Sequence, residues 1–137
     1  MIASYLIDKS AYTRIRIPAV REVVEPLLLD DRVAVCPMVT LELLYSAKST
    51  EDYDRLSALL GELPSATMNA ATWSVALDLQ RRLSRRGQHR IAIPDLLIAA
   101  AAIQYDLVVL HYDKDFDLIA AVSDLQHQWV VDKGSVS

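Results

Sequence analysis

Five acidic residues stand at the ends of predicted strands or in the first turns of predicted helices: Asp8, Glu42, Asp95, Asp113 and Asp115. Bringing several carboxylates together without a cation is costly, because like charges raise one another's pKa. A hard divalent cation such as Mg²⁺ or Mn²⁺ removes that cost, since it prefers oxygen ligands and shares them with a substrate phosphate. The sequence contains no cluster of histidine and cysteine suited to zinc or iron. The pattern therefore predicts a magnesium or manganese site with the chemistry of phosphodiester hydrolysis.

Asp95 belongs to the most distinctive segment of the sequence, in which Pro94 precedes it and eight apolar residues, 96–103, follow it. Proline is tolerated in the first turn of a helix, where its missing N–H would be unpaired in any case. A helix that is apolar on nearly all sides is buried. Asp95 is therefore predicted in the first turn of a buried helix, where it either complements the helix dipole or binds a cation.

Strand-length and helix-length segments alternate along the chain. The predicted strands cover residues 5–7, 33–36, 107–110 and 128–131, with a further short strand at 66–69. A turn is predicted at 11–14, and helices are predicted at 41–47, 73–86 and 116–121, with others after Pro18 (kinked or broken at Pro26), Thr50 and Pro94. This alternation predicts an α/β fold, a small doubly wound and mostly parallel sheet with helices on both faces. Ligands bind beyond the carboxyl ends of such strands, which is where Asp8 and Asp113 fall.

The composition indicates a single domain over residues 1–137, with 53% hydrophobic and 23% charged residues. No apolar run is long enough to span a bilayer, and the N-terminus lacks the features of a signal peptide. Cys36 is the only cysteine, so no intrachain disulfide forms and a cytoplasmic protein is expected. The net charge of −4 argues against non-specific coating of nucleic acid, but not against an enzyme with a local basic patch.

Four motifs resemble, in order, those of the PIN-domain ribonucleases. They are Asp8-Lys9-Ser10 after an apolar strand, Glu42 within Thr40-Leu41-Glu42-Leu43-Leu44, Pro94-Asp95-Leu96-Leu97-Ile98-Ala99-Ala100, and His111-Tyr112-Asp113-Lys114-Asp115-Phe116. The length, the order of the motifs and the single-domain build resemble the VapC-type toxins of bacterial toxin–antitoxin pairs.

This resemblance implies an endoribonuclease that depends on Mg²⁺ or Mn²⁺, acts on RNA as a toxin, forms a homodimer and is inhibited by a cognate VapB-like antitoxin. The implied catalytic and metal-binding acids are Asp8, Glu42, Asp95 and Asp113, with Asp115 as an auxiliary ligand. Ser10 is implied as a supporting residue. Asp117 is a further candidate supporting acid, with simple exposure as the alternative. Lys9 and His111 stand where the family commonly has threonine, and His111 either hydrogen-bonds a phosphate or only fills the end of a strand.

Arginines form the basic features of the sequence: Arg14, Arg81, Arg82, Arg85 and Arg86. They are predicted to contact RNA phosphates, which sets affinity and salt dependence but not the choice of sequence. The alternative is a solvated helix end at which cations favour the negative end of the helix dipole.

Two other functions fit parts of the pattern. One is another metal-dependent phosphoryl hydrolase, such as a structure-specific DNA nuclease, and the other is a non-catalytic PIN-like binding domain. Retention of every acidic position disfavours the second. For the antitoxin, an arginine inserted into the acidic cleft is expected, with apolar anchoring on the helices around Leu43-Leu44-Tyr45 and Leu56-Leu59-Leu60.

Overall fold

The computed structural model describes residues 2–137, and within this range it contains four strands and seven helices. The strands are β1 (Tyr5–Ile7), β2 (Val33–Ala34), β3 (Val108–His111) and β4 (Gln126–Trp129). The helices are α1 (Lys9–Tyr12), α2 (Pro18–Leu29), α3 (Pro37–Tyr45), α4 (Thr50–Gly61), α5 (Ala70–Ser84), α6 (Ile93–Tyr105) and α7 (Asp115–Ala120). The four strands form one parallel sheet in the order β2-β1-β3-β4. The predicted α/β fold is confirmed.

Alternating side chains of the strands divide the core into two layers. Leu6 and Val109 belong to the larger layer, which is formed with α3, α5, α6 and α7. Ile7 and Leu110 belong to the smaller layer, to which α1 and α2 contribute. Because successive strand residues point to opposite faces, the sheet is buried on both sides, as is usual for parallel sheets.

The order of the strands reverses between β1 and β3, and the carboxyl ends of these two strands lie side by side. From β1 the chain continues to β2 on one side, and it then returns past β1 to β3 on the other side. Ile7 pairs with Leu110, and the N–H of Asp8 donates to the Leu110 carbonyl at 2.9 Å. Asp8 and the turn after His111 are therefore neighbours at the topological switch point, where open α/β sheets bind ligands.

Helix α6 passes through the larger layer, and all of its residues from Asp95 to Ala102 are buried. Its four consecutive alanines allow neighbouring elements to approach closely, and α5 packs along it. Asp106 ends α6 in the left-handed conformation with φ 55°, so the chain turns directly into β3. Within residues 2–137, no helix is long and apolar enough to cross a membrane.

Several predicted element boundaries are wrong. The strand at 66–69 does not form, since pairing at this edge is a single parallel bridge between Val35 and Ser65. Helix α2 continues through Pro26, which is exposed, so the carbonyl that loses its partner can be hydrated. Side-chain caps begin two of the helices, because Asp8 caps α1 and Asn69 caps α5 in a capping box with Thr72. Thr40 lies inside α3, which begins at Pro37.

The close packing of α6 generates a stability prediction. Ala100 is fully buried, so Ala100→Leu is expected to lower the free energy of unfolding by about 1–3 kcal/mol through overpacking. Ala58→Leu is the matched control, because Ala58 is exposed on α4, and its expected effect is within about 0.5 kcal/mol. Denaturant unfolding followed by circular dichroism measures both, and equal effects would contradict the close packing of α6.

Candidate metal centre

Three carboxylates from two neighbouring segments form the tightest acidic group. Asp95 lies in the first turn of α6, Asp113 lies in the turn after β3, and Asp115 is the first residue of α7. One oxygen atom from each of these side chains lies within 4.8 Å of the others. The N–H of Asp115 donates to Oδ1 of Asp113 at 2.9 Å, which holds the Asp113 carboxylate at the start of α7. The sequence-predicted convergence of these acids is present in the structure.

Asp8 is fixed beside this group by Ser10. Its Oδ2 accepts hydrogen bonds from the backbone N–H of Ser10 at 3.0 Å and from the Ser10 hydroxyl. The same hydroxyl oxygen accepts a hydrogen bond from the N–H of Tyr112 at 2.8 Å. Because Tyr112 directly precedes Asp113, Ser10 links the acid after β1 to the acidic turn after β3.

Glu42 lies in the second turn of α3, and its partner is a lysine that follows Asp8. The Lys9 Nζ is 3.7 Å from Oε2 of Glu42, and the lysine side chain is more exposed than the glutamate. The other oxygen, Oε1, is buried and has no hydrogen-bond partner in the described part of the chain. A buried and unpaired carboxylate oxygen is costly, which indicates that a ligand satisfies it when the site is occupied.

Burial raises the pKa of three of these acids. For Asp8, desolvation is the main cause; the hydrogen bonds from Ser10 lower its pKa, and the charge of Asp113 raises it. For Glu42, desolvation is again the main cause; the charge of Lys9 lowers its pKa, and that of Asp8 raises it. The pKa of Asp95 rises from 3.8 to about 9, because desolvation is joined by repulsion from Asp113 and Asp8 and by a hydrogen bond with Asp115. Without a cation, Asp95 therefore retains a proton at neutral pH.

The donor set fits a hard divalent cation. All five side chains offer carboxylate oxygens, which suit Mg²⁺ or Mn²⁺ rather than a soft metal. The unpaired Oε1 of Glu42 and the proton retained by Asp95 are both features that a cation between the carboxylates would remove. Asp8 lies outside the tightest group but is coupled to it, since its charge raises the pKa of Asp95 and the charge of Asp113 raises the pKa of Asp8. Glu42 is coupled to Asp8.

His111 is fully buried at the end of β3, behind the acidic turn. Its Nδ1 accepts a hydrogen bond from the N–H of Asp113 at 3.1 Å, and its Nε2 lies 2.9 Å from Nδ1 of His127 on β4. Burial, with a smaller contribution from His127, lowers the pKa of His111 to about 4.

Asp117, on α7, accepts a hydrogen bond from Nε1 of Trp129 on β4 at 3.0 Å. The sequence did not indicate His127, since only the pairing of β3 with β4 brings it to His111.

The arginines differ in the number of hydrogen bonds and ion pairs that they form within the molecule. Arg14 donates to the carbonyls of Ser10 and Ser137 and lies 4.7 Å from the ring centre of Tyr112. Both Arg81 and Arg82 form ion pairs with Asp78, at 2.6 Å and 2.9 Å, respectively.

Arg85 and Arg86 are exposed at the end of α5, in the connection that leads to α6 and Asp95. Neither forms an ion pair with another of the described residues. They are therefore the members of the basic cluster whose charge is available to a ligand.

A groove beside the acidic centre presents apolar side chains to solvent. It has a volume of about 500 Å³ and is lined by Lys9, Met38, Leu41, Glu42, Tyr45 and Ser46. Leu41 is 64% exposed and Tyr45 is 92% exposed. On the two helices expected to anchor a partner, Leu43, Leu44 and Leu60 are buried in the core, so the exposed apolar area there comes from Leu41, Tyr45 and Leu59.

Comparison with known proteins identifies the family. The family model described as the PIN domain matches residues 5–122, a range that includes all five acids. The chain is 44% identical over 136 residues to ribonuclease VapC51 of Mycobacterium tuberculosis, and the match covers 99% of each.

Two solved structures agree in fold. The VapBC-1 structure from nontypeable Haemophilus influenzae matches with a TM-score of 0.77 and 24% identity, over 92% of this chain and 97% of that one. VapBC-5 of Mycobacterium tuberculosis, a member of the VapBC family of toxin–antitoxin systems, matches with a TM-score of 0.65 and 24% identity, over 91% of this chain and 97% of that one. The family model and the full-length relative together show that this chain belongs to the PIN-domain family, among the proteins named VapC.

Proposed function

We propose that this chain is a metal-dependent endoribonuclease that acts as the toxin of a VapBC-type toxin–antitoxin pair. The observation that supports this most directly is the group of Asp95, Asp113 and Asp115 beside Asp8 at the switch point of a parallel sheet. The similarity to a ribonuclease VapC over the whole chain supports RNA as the substrate. The single domain over residues 1–137, the cytoplasmic location and the homodimer stay predictions from the sequence.

The residues that would bind Mg²⁺ or Mn²⁺ are Asp8, Asp95, Asp113 and Asp115, with Glu42 as the outlying ligand. When bound, such a cation polarises a phosphoryl oxygen and makes a water molecule more acidic, which favours hydrolysis of a phosphodiester. Ser10 fixes the orientation of Asp8 through two hydrogen bonds. Lys9 lies 3.7 Å from Glu42 and reduces the negative charge of the site in the absence of a cation.

We infer that Arg85 and Arg86 contribute more to RNA binding than the other arginines. Arg81 and Arg82 share Asp78, and Arg14 is committed to carbonyl groups and to Tyr112. An ion pair within the protein competes with a phosphate for the same guanidinium group. His111 is fully buried, which disfavours direct contact with a phosphate.

We further infer that the partner is a VapB-like antitoxin that covers the acidic cleft. Leu41 and Tyr45 offer apolar area beside Glu42, and a cationic side chain of the partner would pair with the carboxylates. An inserted arginine suits this position, because its planar group binds a carboxylate through two hydrogen bonds. The antitoxin would thus exclude both metal and RNA from the site.

Asp95→Asn tests the proposed chemistry. The substitution keeps the shape of the side chain and removes a negative ligand, so we expect RNA cleavage to fall by more than about 100-fold, since even outer partners of a metal contribute about 10–100-fold. Mn²⁺ binding, measured by isothermal titration, should weaken in parallel. Asp54→Asn on the exposed face of α4 is the control and should change neither quantity. Full RNA cleavage by a folded Asp95→Asn protein would contradict the assignment of Asp95 to the metal centre. Cleavage of DNA but not RNA by the unsubstituted protein would favour a structure-specific DNA nuclease.

The raised pKa of Asp95 predicts how stability depends on pH. Between about pH 4 and about pH 9, the unfolded chain has lost this proton while the metal-free folded protein retains it. The unfolded state then binds fewer protons, so the contribution of Asp95 to stability falls as pH rises through this window. Asp95→Asn should therefore stabilise the metal-free protein increasingly from pH 5 to pH 8 in urea unfolding. A difference that is constant with pH, or that shrinks, would contradict the raised pKa.

The arginines are tested by salt dependence. Arg85→Gln combined with Arg86→Gln removes two unpaired cations, so the slope of log affinity against log salt should become shallower by about 1.4 for single-stranded RNA. A cleavage-deficient Asp95→Asn background allows binding to be measured by fluorescence anisotropy. Arg21→Gln on the exposed side of α2 is the matched control. An unchanged slope would show that Arg85 and Arg86 do not contact RNA and are solvated charges at the end of a helix.

The partner surface is tested with the product of the neighbouring reading frame. Leu41→Ser combined with Tyr45→Ser should weaken the complex by about 100-fold or more, because each exposed apolar side chain contributes about 1.5–3 kcal/mol when buried. Leu29→Ser is the control, since Leu29 is 80% exposed on α2. Surface plasmon resonance measures both dissociation constants. An undiminished affinity of the double variant would show that the partner binds elsewhere.

A further inference from the structure

His111 and His127, called here the histidine pair, connect the acidic turn to the neighbouring strand. Nδ1 of His111 accepts a hydrogen bond from the N–H of Asp113 at 3.1 Å. Nε2 of His111 lies 2.9 Å from Nδ1 of His127. The histidine pair thus extends a hydrogen-bond network from the backbone of a predicted metal ligand into β4, through a ring that is fully buried.

The hydrogen bond from the N–H of Asp113 to His111 determines which atom donates in every other hydrogen bond of this network. A backbone N–H only donates, so Nδ1 of His111 presents a lone pair to Asp113. The neutral ring of His111 must then have its proton on Nε2, and this N–H donates to Nδ1 of His127. His127 in turn has its proton on Nε2, so its 3.8 Å contact with Asp117 Oδ1 through Nδ1 is not a hydrogen bond.

The same reasoning excludes a metal between the histidines. His111, His127 and Asp117 have ligand atoms within 4.8 Å of one another, which is close enough for a transition metal. A metal on Nε2 of His111 would require the ring proton to be on Nδ1, where it would oppose the N–H of Asp113 at 3.1 Å. A metal-binding histidine normally donates through its other nitrogen, and here that nitrogen accepts.

Aromatic packing prevents the His111 ring from turning. Its centre lies 4.8 Å from that of Phe116, 5.1 Å from that of His127 and 5.0 Å from that of Trp129. Trp129 is itself fixed by its hydrogen bond to Asp117. The acceptor for the N–H of Asp113 therefore has a fixed position.

The turn after β3 is then held at two atoms of the same residue. The backbone N–H of Asp113 is bound by His111, and the Asp113 carboxylate is bound by the N–H of Asp115. Fixing both atoms leaves the side chain of Asp113 little freedom to turn away from Asp95. We propose that the histidine pair is a positioning device for the metal centre, in which His111 orients Asp113 and His127 maintains the tautomer that His111 needs. This inference rests on the proposed function only in taking the acids to be metal ligands.

The first test is the tautomer of each histidine in the metal-free protein. Long-range ¹⁵N–¹H correlation spectra of histidine-labelled protein distinguish a protonated ring nitrogen from an unprotonated one. The expected result at pH 7.5 is an unprotonated Nδ1 and a protonated Nε2 for both rings of the pair. His89→Gln removes the signal of the third histidine, which is exposed. A protonated Nδ1 on His111, or a zinc-dependent shift of Nε2 of His111 in the metal-titrated protein, would overturn the proposal.

The second test compares two replacements of His111. His111→Asn restores an acceptor near the position of Nδ1, because an asparagine oxygen readily accepts from the N–H two residues later. His111→Leu keeps the bulk but offers no acceptor. We expect the Mn²⁺ dissociation constant to rise by about 10–100-fold for His111→Leu and to stay within about threefold of the original for His111→Asn. His127→Phe retains the aromatic packing, removes the acceptor for Nε2, and should weaken binding by about tenfold.

Stability separates positioning from a purely structural role. Leucine suits a buried site better than asparagine, so urea unfolding of the metal-free proteins should rank His111→Leu at least as stable as His111→Asn. The ranking of Mn²⁺ affinity should be the reverse. Equal Mn²⁺ affinities for the two variants, or affinities that follow stability, would overturn the proposal. If the unsubstituted protein binds no Mn²⁺, the proposed metal centre fails, and the tautomers still decide whether the histidine pair has the inferred polarity.

Discussion

The desolvation of carboxylates at the carboxyl edge of the sheet is the constraint on which the rest of this structure depends. A parallel sheet brings the ends of its strands to one edge, and covering helices remove water from that edge. The same architecture that collects Asp8, Asp95 and Asp113 therefore also raises the free energy of their ionised forms. The raised pKa of Asp95 is the direct result. The body of the protein, with its alanine-rich α6 in the larger layer, supplies the apolar burial that makes this unfavourable arrangement stable.

The places of three acids in the fold could be predicted from the sequence, because each follows a local signal that packing does not override. Asp8 and Asp113 follow short apolar strands, and Asp95 follows a proline at the start of an apolar helix. The helix boundaries were less accurate, since α3, predicted from residue 41, begins at Pro37, where no side-chain cap marks its start. The parallel bridge at Ser65 joins the edge of the sheet at only one residue, and propensity cannot distinguish that from a short strand. These errors concern the ends of helices and strands, and the predicted α/β fold remains correct.

The parts of the site that the sequence did not predict all depend on contacts between distant elements. Lys9 meets Glu42 only because α1 lies beside α3. His127 reaches His111 only through the pairing of β4 with β3. In each case the side chain forms a specific contact with an acid of the site, Lys9 with Glu42 and His111 with the backbone N–H of Asp113.

Hydrogen bonds within the protein also limit how many oxygen atoms the acids present. Oδ2 of Asp8 already accepts two hydrogen bonds from Ser10, and Oδ1 of Asp113 accepts one from Asp115. These hydrogen bonds occupy lone pairs on one oxygen of each carboxylate, which leaves the other oxygen better placed to bind a cation. The turns that position the acids would therefore also determine which oxygen of each carboxylate faces the proposed cation.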